Sequence, residues 1–534
     1  MQTVNIIGAG LAGLSAAITL AESGVSSRLI SLQPSERAQS VLAEGGINGA
    51  LNTMGEDDSP EQHYADTMRG GVWLADPNAV ANLTAHAPEI LRWLEGLGVP
   101  FNRTETDISL RNFGGQKLKR TAYAQSSTGK IIMHALIDEA RKYEQTGLIH
   151  RFPHHEFLCL LTDQDVCEGV RVQDVYSGRM YDLHGAVLLC TGGMNGILPG
   201  RTTGTTQNTG DVTATIFLQG VSLGNLEMLQ YHPTTVGIAG KRCLVTEAAR
   251  GEGGRLFIER GGKRWYFMEE LYPELGNLSP RDVVARTMYF VRRQAETGNQ
   301  VYLDLTVLSD SVWKKKLSDL RQELMHYLSI DPKKEPVPVQ EGIHYFMGGI
   351  LTDENHRTNL RHLLAAGECT CQYHGANRLG GNSMLGALYG GRRAAETLLQ
   401  ARELPGSDLI PFTGTESLAK PASPEWIREV SEILLSGLGI VRNAEQLVDA
   451  IERLAAVPAS NLREENRLHL AEAMLRSALE RRESRGAHYR EDFPELREDL
   501  QKITVAQYDG AISVKFCELP ERRNHANTTG NSQT

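Results

Sequence analysis

Gly8-Ala9-Gly10-Leu11-Ala12-Gly13 sets three glycines where an apolar stretch, residues 4–7, turns into a second apolar run over 14–21. G-x-G-x-x-G between a strand and a helix allows a tight turn and close backbone approach to a pyrophosphate, which the helix N-terminus attracts through its free amides and dipole. A second strand over 28–32 completes the βαβ context that gives three glycines their meaning. The acid expected at the end of that strand, to hold a ribose, is replaced by Ser31, whose hydroxyl can take the same contact less strongly. Ser40 to Ala50, containing Glu44, Gly45 and Gly46, is a small-residue loop that would let backbone approach a flat ring. Read alone, it is as well described as a flexible loop. His374-Gly375-Ala376-Asn377-Arg378-Leu379-Gly380-Gly381-Asn382-Ser383 joins an imidazole and a guanidinium to the same kind of backbone. Arginine grips a carboxylate through two parallel bonds, so this run suits a planar cofactor beside an anionic substrate.

Holding these groups together requires strands whose carboxyl ends converge. Apolar runs at 185–189, ending in Cys190-Thr191-Gly192-Gly193, and at 362–366, ending in Gly367-Glu368, read as buried strands of that kind. If both join the first sheet, residues 236–344 interrupt the nucleotide domain as an insert. After Pro405, Pro411, Pro421 and Pro424 punctuate a linker, and 426–438, 444–455 and 466–482 carry helical periodicity. From Asn524 onward the polar sequence reads as a frayed tail.

At 534 residues the chain has room for three or four structural units of about 150 residues each. With 41% hydrophobic and 22% charged residues it reads as globular, which sets aside collagen, disorder and a disulfide scaffold. A net charge of −10 argues against nucleic acid as the main partner and leaves room for a local basic pocket. Seven scattered cysteines without a C-x-x-C pair suggest neither disulfides nor a zinc or iron–sulfur site, and fit a reducing compartment. No secretory signal and no apolar run near 18 residues is seen, so neither export nor a membrane span is expected.

The motifs together resemble the flavoprotein subunits of succinate dehydrogenase and fumarate reductase, a family that includes L-aspartate oxidase. Besides Gly8–Gly13 and His374–Ser383, the resemblance rests on Ala43-Glu44-Gly45-Gly46, Arg120-Thr121, Thr191-Gly192-Gly193 and Gln230-Tyr231-His232-Pro233-Thr234. It continues through Thr246-Glu247-Ala248-Ala249-Arg250-Gly251-Glu252-Gly253, Pro280-Arg281-Asp282, His344-Tyr345-Phe346-Met347-Gly348-Gly349 and Glu483-Ser484-Arg485-Gly486-Ala487-His488-Tyr489, covering Val4 to about Pro494. It implies an α/β fold: a Rossmann-like FAD-binding domain over 1–235 and 345–405, an inserted α+β capping domain over 236–344, a C-terminal helical domain over 406–505, and an extension and tail over 506–534.

For the site, the resemblance implies that FAD meets Gly8, Ala9, Gly10, Leu11, Ala12, Gly13, Ser31, Ser40, Glu44, Gly45, Gly46, Thr191, Gly192, Gly193, Asp211, Glu368, Asn382 and Ser383. His344 and Arg378 would hold one substrate carboxylate, and His232 and Thr246 the other, with Gln230 and Phe113 beside them. Arg281 would give or take the proton, with Glu247 and Arg250 as its relay. Without the resemblance, Glu247 and Arg250 are a helical i, i+3 ion pair, Arg281 and Asp282 a solvated pair, and His232 a strand-end histidine met by backbone. Two departures stand out. Gln39 occupies the position of the histidine that bonds covalently to flavin in respiratory members, which implies non-covalent FAD and a lower flavin potential. Phe113 replaces the glutamate that meets the substrate ammonium in aspartate oxidases, which disfavours that alternative. The resemblance further implies a cytochrome b anchor and an iron–sulfur partner subunit, with this chain peripheral on the cytoplasmic face of the inner membrane. The segment 485–489 is expected to be helical and to resemble the surface region of complex-forming members.

Overall fold

In the computed structural model, which describes residues 3–125, 127–238, 240–296, 298, 300–414 and 421–523, the strand Thr3–Ile7 lies at the centre of a five-stranded parallel sheet. The order across it is Leu363–Ala365, Val187–Leu189, Thr3–Ile7, Ser26–Ser31 and Ile149–Pro153. A parallel strand covered on both faces is apolar throughout rather than alternating, and Val187, Leu188 and Leu189 are all fully buried. Both distant apolar runs therefore join the first sheet, with bounds one or two residues from those expected. The helix Leu11–Glu22 lies close on this sheet because Gly13 has no side chain: a Cβ there would sit 1.9 Å from the Gly8 carbonyl oxygen. The helix Asn382–Leu399 packs in turn on Leu11–Glu22, again through a glycine, since a Cβ on Gly391 would meet the Ala12 carbonyl at 2.2 Å.

Between the sheet's separated strands, the chain builds a six-stranded antiparallel sheet. Its order is Lys241–Leu244, Leu229–Ile238, Val337–Phe346, Val301–Asp304, Arg255–Arg260 and Lys263–Trp265. The helix Arg281–Val291 packs on Leu229–Ile238, and Leu256, Phe267, Val284, Met288, Leu303 and Trp313 form a core of its own. Two of these strands run through the expected limits at 235/236 and 344/345. Motifs mark chemistry, whereas the ladder continues for as long as its hydrogen bonds do. The pairing of Leu229–Ile238 with Val337–Phe346 shifts register between His232 and Thr235, around a proline that has no N–H to give to the ladder.

The C-terminal helices Pro424–Gly437, Ala444–Ala455 and Leu462–Glu480 form where periodicity placed them. Their starts are set by caps: Ser423, Asn443 and Asn461 each accept from the amide three residues on, which begins the last helix four residues ahead of its periodic stretch. Three expectations are corrected here. Leu409–Phe412, read as linker, is an edge strand beside Met180–His184, where Pro411 is tolerated. The limit at 505/506 cuts the strand Lys502–Tyr508, which pairs with Ile512–Glu518 on one side and Leu223–Gly224 on the other, so the start of the expected extension is a hairpin continuous with the sheet before it. Residues 485–489 are not helical. Arg485 and His488 exchange backbone bonds of 2.8 and 3.0 Å around Gly486, whose φ of +55° a helix does not allow, and both side chains are buried. The expected frayed tail from Asn524 lies outside the described residues.

Candidate active site

A cavity of about 330 Å³ opens both to the first glycine turn and to a cluster of histidines and arginines. Gly8, Ala9, Gly10, Leu11, Ala12, Ser31, Gln39, Ser40, Glu44, Gly45, Gly46, Thr191, Gly192, Gly193, Asp211, Glu368 and Ser383 line it, as do Phe113, His232, Thr246, Glu247, Arg281, His344 and Arg378. Local geometry explains the small residues. The Ser40 hydroxyl accepts from the Leu11 amide at 3.3 Å, and a Cβ on Gly10 would crowd that oxygen at 3.1 Å. A Cβ on Gly193 would lie 2.4 Å from the Glu368 carboxylate, which also accepts from the Phe346 amide at 3.2 Å. Burial pushes the Glu368 carboxyl up to about 7, and the Glu44 carboxyl up to about 8. Gln39 is held by its side-chain oxygen, which accepts from the Thr205 amide at 2.5 Å.

The reactive cluster is a single hydrogen-bonded unit. Arg281, first residue of its helix, donates from Nε to Glu247 at 3.1 Å, from Nη2 to the same carboxylate, and from Nη1 to Gln230 Oε1 at 3.0 Å. Gln230 donates in turn to Asn377 Oδ1 at 2.8 Å and to the Arg378 carbonyl at 2.7 Å. Arg250 reaches Glu247 at 3.3 Å and the Asn277 carbonyl at 2.6 Å. Burial alone would raise the Glu247 carboxyl, but the charges of Arg281 and Arg250 outweigh it and hold it at about 2. His232 is fully buried. Its Nδ1 faces the Thr234 backbone, and its Nε2 has no partner among the described residues. His344 lies with its ring 5.2 Å from that of His232, and its Nδ1 is 2.7 Å from the Thr203 hydroxyl. Burial, then the charge of Arg281, pushes both imidazoles well below their ordinary range, so both are neutral. Arg378 is buried 4.5 Å over the Tyr345 ring, donates from Nη1 to the Leu379 carbonyl, and has an unpartnered Nε.

Four expected site residues stand behind the cavity wall. Gly13 serves helix-to-sheet packing. The Asn382 side chain turns inward to Asn48, His63 and Thr67, at 2.7, 2.9 and 3.0 Å. Gln230 ties Arg281 to the Arg378 backbone, and Arg250 backs Glu247. His374 also departs from expectation, with its imidazole packed against Tyr345 and Tyr373 rather than lining the cavity. Asp211 reaches the cavity, but its carboxylate is engaged by Arg467 from the helix Leu462–Glu480, at 2.9 Å from Nη2. The sequence reading missed Thr203, Tyr345 as a surface under Arg378, and Arg111, which donates to the Gly45 carbonyl and stacks 4.2 Å over Tyr123. Only Tyr345 stood within a motif that could have drawn attention to it.

A glycine turn, a helix N-terminus and a long cavity shared with a redox-neutral set of acid–base groups define a dinucleotide-dependent enzyme. Comparison with known proteins gives the cofactor: a family model described as an FAD binding domain matches residues 3–384, and one described as the fumarate reductase flavoprotein C-terminus matches 459–523. The chain is 36% identical over 551 residues to the succinate dehydrogenase flavoprotein subunit of Bacillus subtilis strain 168, covering 95% of this chain and 94% of that one. It is also 36% identical over 540 residues to one of the subunits of the CoM/CoB fumarate reductase of Methanothermobacter marburgensis, covering 93% and 96%. Among solved structures, a point variant of E. coli quinol fumarate reductase FrdA superposes with a TM-score of 0.85 at 30% identity, covering 97% of each chain. The chain therefore belongs to the succinate dehydrogenase/fumarate reductase flavoprotein subunit family and is an FAD-dependent oxidoreductase of that type.

Proposed function

We propose that this chain interconverts fumarate and succinate, or a close dicarboxylate, using non-covalent FAD, as the catalytic subunit of a complex. The observation that carries this reading is charge. Arg250, Arg281 and Arg378 face one fully ionised carboxylate, Glu247, and a second, Glu368, held at about 7, and both neighbouring histidines are neutral, leaving an excess of buried positive charge. Buried charge without a counter-charge costs several kcal/mol, and a dianion relieves it. The groups left unpartnered, Nε of Arg378 and Nε2 of His232, are donors of the kind a carboxylate satisfies.

Bound FAD would lie along Gly8–Ala12, Ser40–Gly46, Thr191–Gly193 and Ser383 and would supply the two-electron chemistry. Arg378 and His344 would then fix one carboxylate, and His232 and Thr246 the other, orienting the carbon–carbon bond. Arg281 would deliver the proton to the carbon that does not take the hydride. Its three bonds, two to Glu247 and one to Gln230, hold the guanidinium in one orientation, and the contiguous path to Arg250 and Asn277 would return the proton. Gln39 is an amide, already bonded to Thr205, and supports non-covalent attachment.

The relatives named as subunits support partner subunits for this chain; that these are an iron–sulfur protein and a cytochrome b anchor, with this chain peripheral on the cytoplasmic side of the membrane, follows from the resemblance of its motifs. No helix among the described residues is long and apolar enough to cross a membrane, so attachment would run through those partners.

The test compares the FAD-loaded parent with Arg378→Ala and Arg281→Lys, reading fumarate reduction by a reduced viologen dye and dicarboxylate binding by flavin absorbance. Arg378→Ala should weaken binding at least tenfold. Arg281→Lys should bind within a few-fold of the parent and lose about 10²–10⁴ in kcat, the usual cost of a lost general acid. A parent that binds no dicarboxylate overturns the reading, and turnover of L-aspartate would replace it with an amino-dicarboxylate oxidase.

A further inference from the structure

The segment Arg485-Gly486-Ala487-His488-Tyr489 has no part in the chemistry above, yet Arg485, Ala487 and His488 are buried, Gly486 and Tyr489 half-buried, and the segment touches the supports of both Arg281 and Arg378. Its own shape is fixed first. Arg485 binds Glu483 through Nε and Nη2 at 2.7 and 3.0 Å and donates from Nη1 to the Val72 carbonyl at 2.8 Å. Arg442 can only donate, so His488 Nδ1, 2.8 Å from it, accepts, and His488 Nε2–H donates to the Arg481 carbonyl at 3.1 Å. Glu227 and Glu483 complete a network with Arg481 in which every side chain is buried. A loop held by this many charge-assisted bonds is rigid.

From that base the segment reaches in two directions. Toward the cap, Arg286 Nη1 donates to the Gly486 carbonyl at 3.3 Å, its guanidinium lies 5.1 Å from the Tyr489 ring, and Phe290 meets that ring edge-on at 6.1 Å. Both residues belong to Arg281–Val291, the helix whose first residue is Arg281. Toward the substrate loop, the Ala487 amide donates to the Ala376 carbonyl at 2.9 Å, and Ala487, Ala376 and Tyr345 share one apolar cluster, Tyr345 being the ring under Arg378. Gly486 has a φ of +55°, and a Cβ there would lie 2.6 Å from the Ala376 carbonyl oxygen.

We infer that residues 486–489 are a brace, built by the C-terminal part of the chain, that sets the position of Arg281 relative to Arg378 by binding the helix of the first and the loop of the second. Gly486, Ala487 and Tyr489 are positioning residues, acting through Arg286, Phe290 and Ala376. Only the catalytic readout of the brace rests on the proposed dicarboxylate chemistry.

The experiment uses the FAD-loaded full chain with Tyr489→Leu, Tyr489→Phe and Gly486→Ala. Amide hydrogen exchange is read over residues 281–291 and 374–382, alongside viologen-linked fumarate reduction and flavin-monitored fumarate binding. Tyr489→Leu should speed exchange in 281–291 and lower kcat at least tenfold per bound flavin, with affinity within threefold. Tyr489→Phe, which keeps the ring, should restore both. Gly486→Ala should speed exchange in 374–382 and weaken fumarate binding at least fivefold; if it fails to fold, the two Tyr489 variants carry the test. Parental exchange in both segments, or exchange raised evenly along the whole chain, would overturn the brace. A parent that neither binds nor reduces fumarate would fail the functional reading instead, leaving the exchange pattern to judge the brace.

Discussion

At the level of single residues, Gln39 separates the means of holding the flavin from the means of using it. An amide cannot form the carbon–nitrogen bond that a histidine forms, and its oxygen is committed to the Thr205 amide. Acid precipitation should therefore release all FAD to the supernatant and leave colourless protein, with no flavin fluorescence surviving in a denaturing gel. The resemblance implies a lower potential for a flavin without the covalent link, so fumarate reduction with a strong artificial donor should outpace succinate oxidation in the same preparation. Residues of this kind were legible in the sequence because their chemistry depends on type and motif: His232, Glu247, Arg281, His344 and Arg378 all reach one cavity. Gln230 was legible as a neighbour, but not as the link between Arg281 and the Arg378 backbone. Such a link exists only once Leu229–Ile238 and the loop before Asn382–Leu399 are brought together, a separation of 148 residues along the chain.

At the level of elements, close approach decides more than composition does. The turn from Thr3–Ile7 into Leu11–Glu22 brings the helix N-terminus to the cavity only if the helix can rest on the Gly8 carbonyl, which Gly13 permits. Gly13→Ala would place a methyl 1.9 Å from that oxygen, and the helix must shift away from the sheet, taking the Leu11 amide and the Ser40 contact with it. FAD affinity should fall at least tenfold, as read by flavin titration of the apoprotein. Retention of parental affinity would mean that the turn yields without moving the helix. The parallel strands and the C-terminal helices were legible for the same local reasons that make them form, namely apolar runs, 3.6-residue periodicity and polar caps. Two elements were not. Leu409–Phe412 is an exposed edge that needs one partner, and its proline pointed to a linker. Arg485–Tyr489 carries charges that suggest a surface helix, and only their tertiary partners, Glu483, Arg442 and the Val72 carbonyl, make burial possible.

For the molecule as a whole, the same burial that neutralises the site's histidines ties stability to pH. His63, His232, His356, His374 and His488 are buried and His344 half-buried, and desolvation, with nearby arginines as a further cause, pushes each imidazole below its ordinary value, His63 to about 3 and His356 to about 4. In the unfolded chain each titrates near 6.5. Below that pH the unfolded state takes up protons that the folded state refuses, so stability is lost as pH falls, by up to about 1.4 kcal/mol per pH unit for each histidine. Glu247, held at about 2, adds a loss of the same sign below its ordinary value. Glu44 and Glu368, raised to about 8 and about 7, act in the opposite sense: between their ordinary values and those pH values the folded state keeps protons that the unfolded chain releases. Burial also raises the carboxyls of Asp58, Asp76, Asp282, Glu323 and Glu341, in the same sense as Glu44 and Glu368 but from ordinary values near 4, whereas all six histidines lie below their ordinary value throughout the range from pH 5 to 6.5, so the histidines prevail there. The thermal midpoint of the FAD-loaded protein should rise from pH 5 to 6.5. From pH 7 to 8 the histidines contribute little, while Glu44 and Glu368 both lose protons in the folded state, so the curve should flatten or decline slightly. A midpoint at pH 5 equal to or above that at pH 6.5, in buffers of matched ionic strength, would mean that these imidazoles accept protons in the folded state. The excess of positive charge facing the substrate would then be larger, and the site would bind a dianion more tightly in acid than at neutrality.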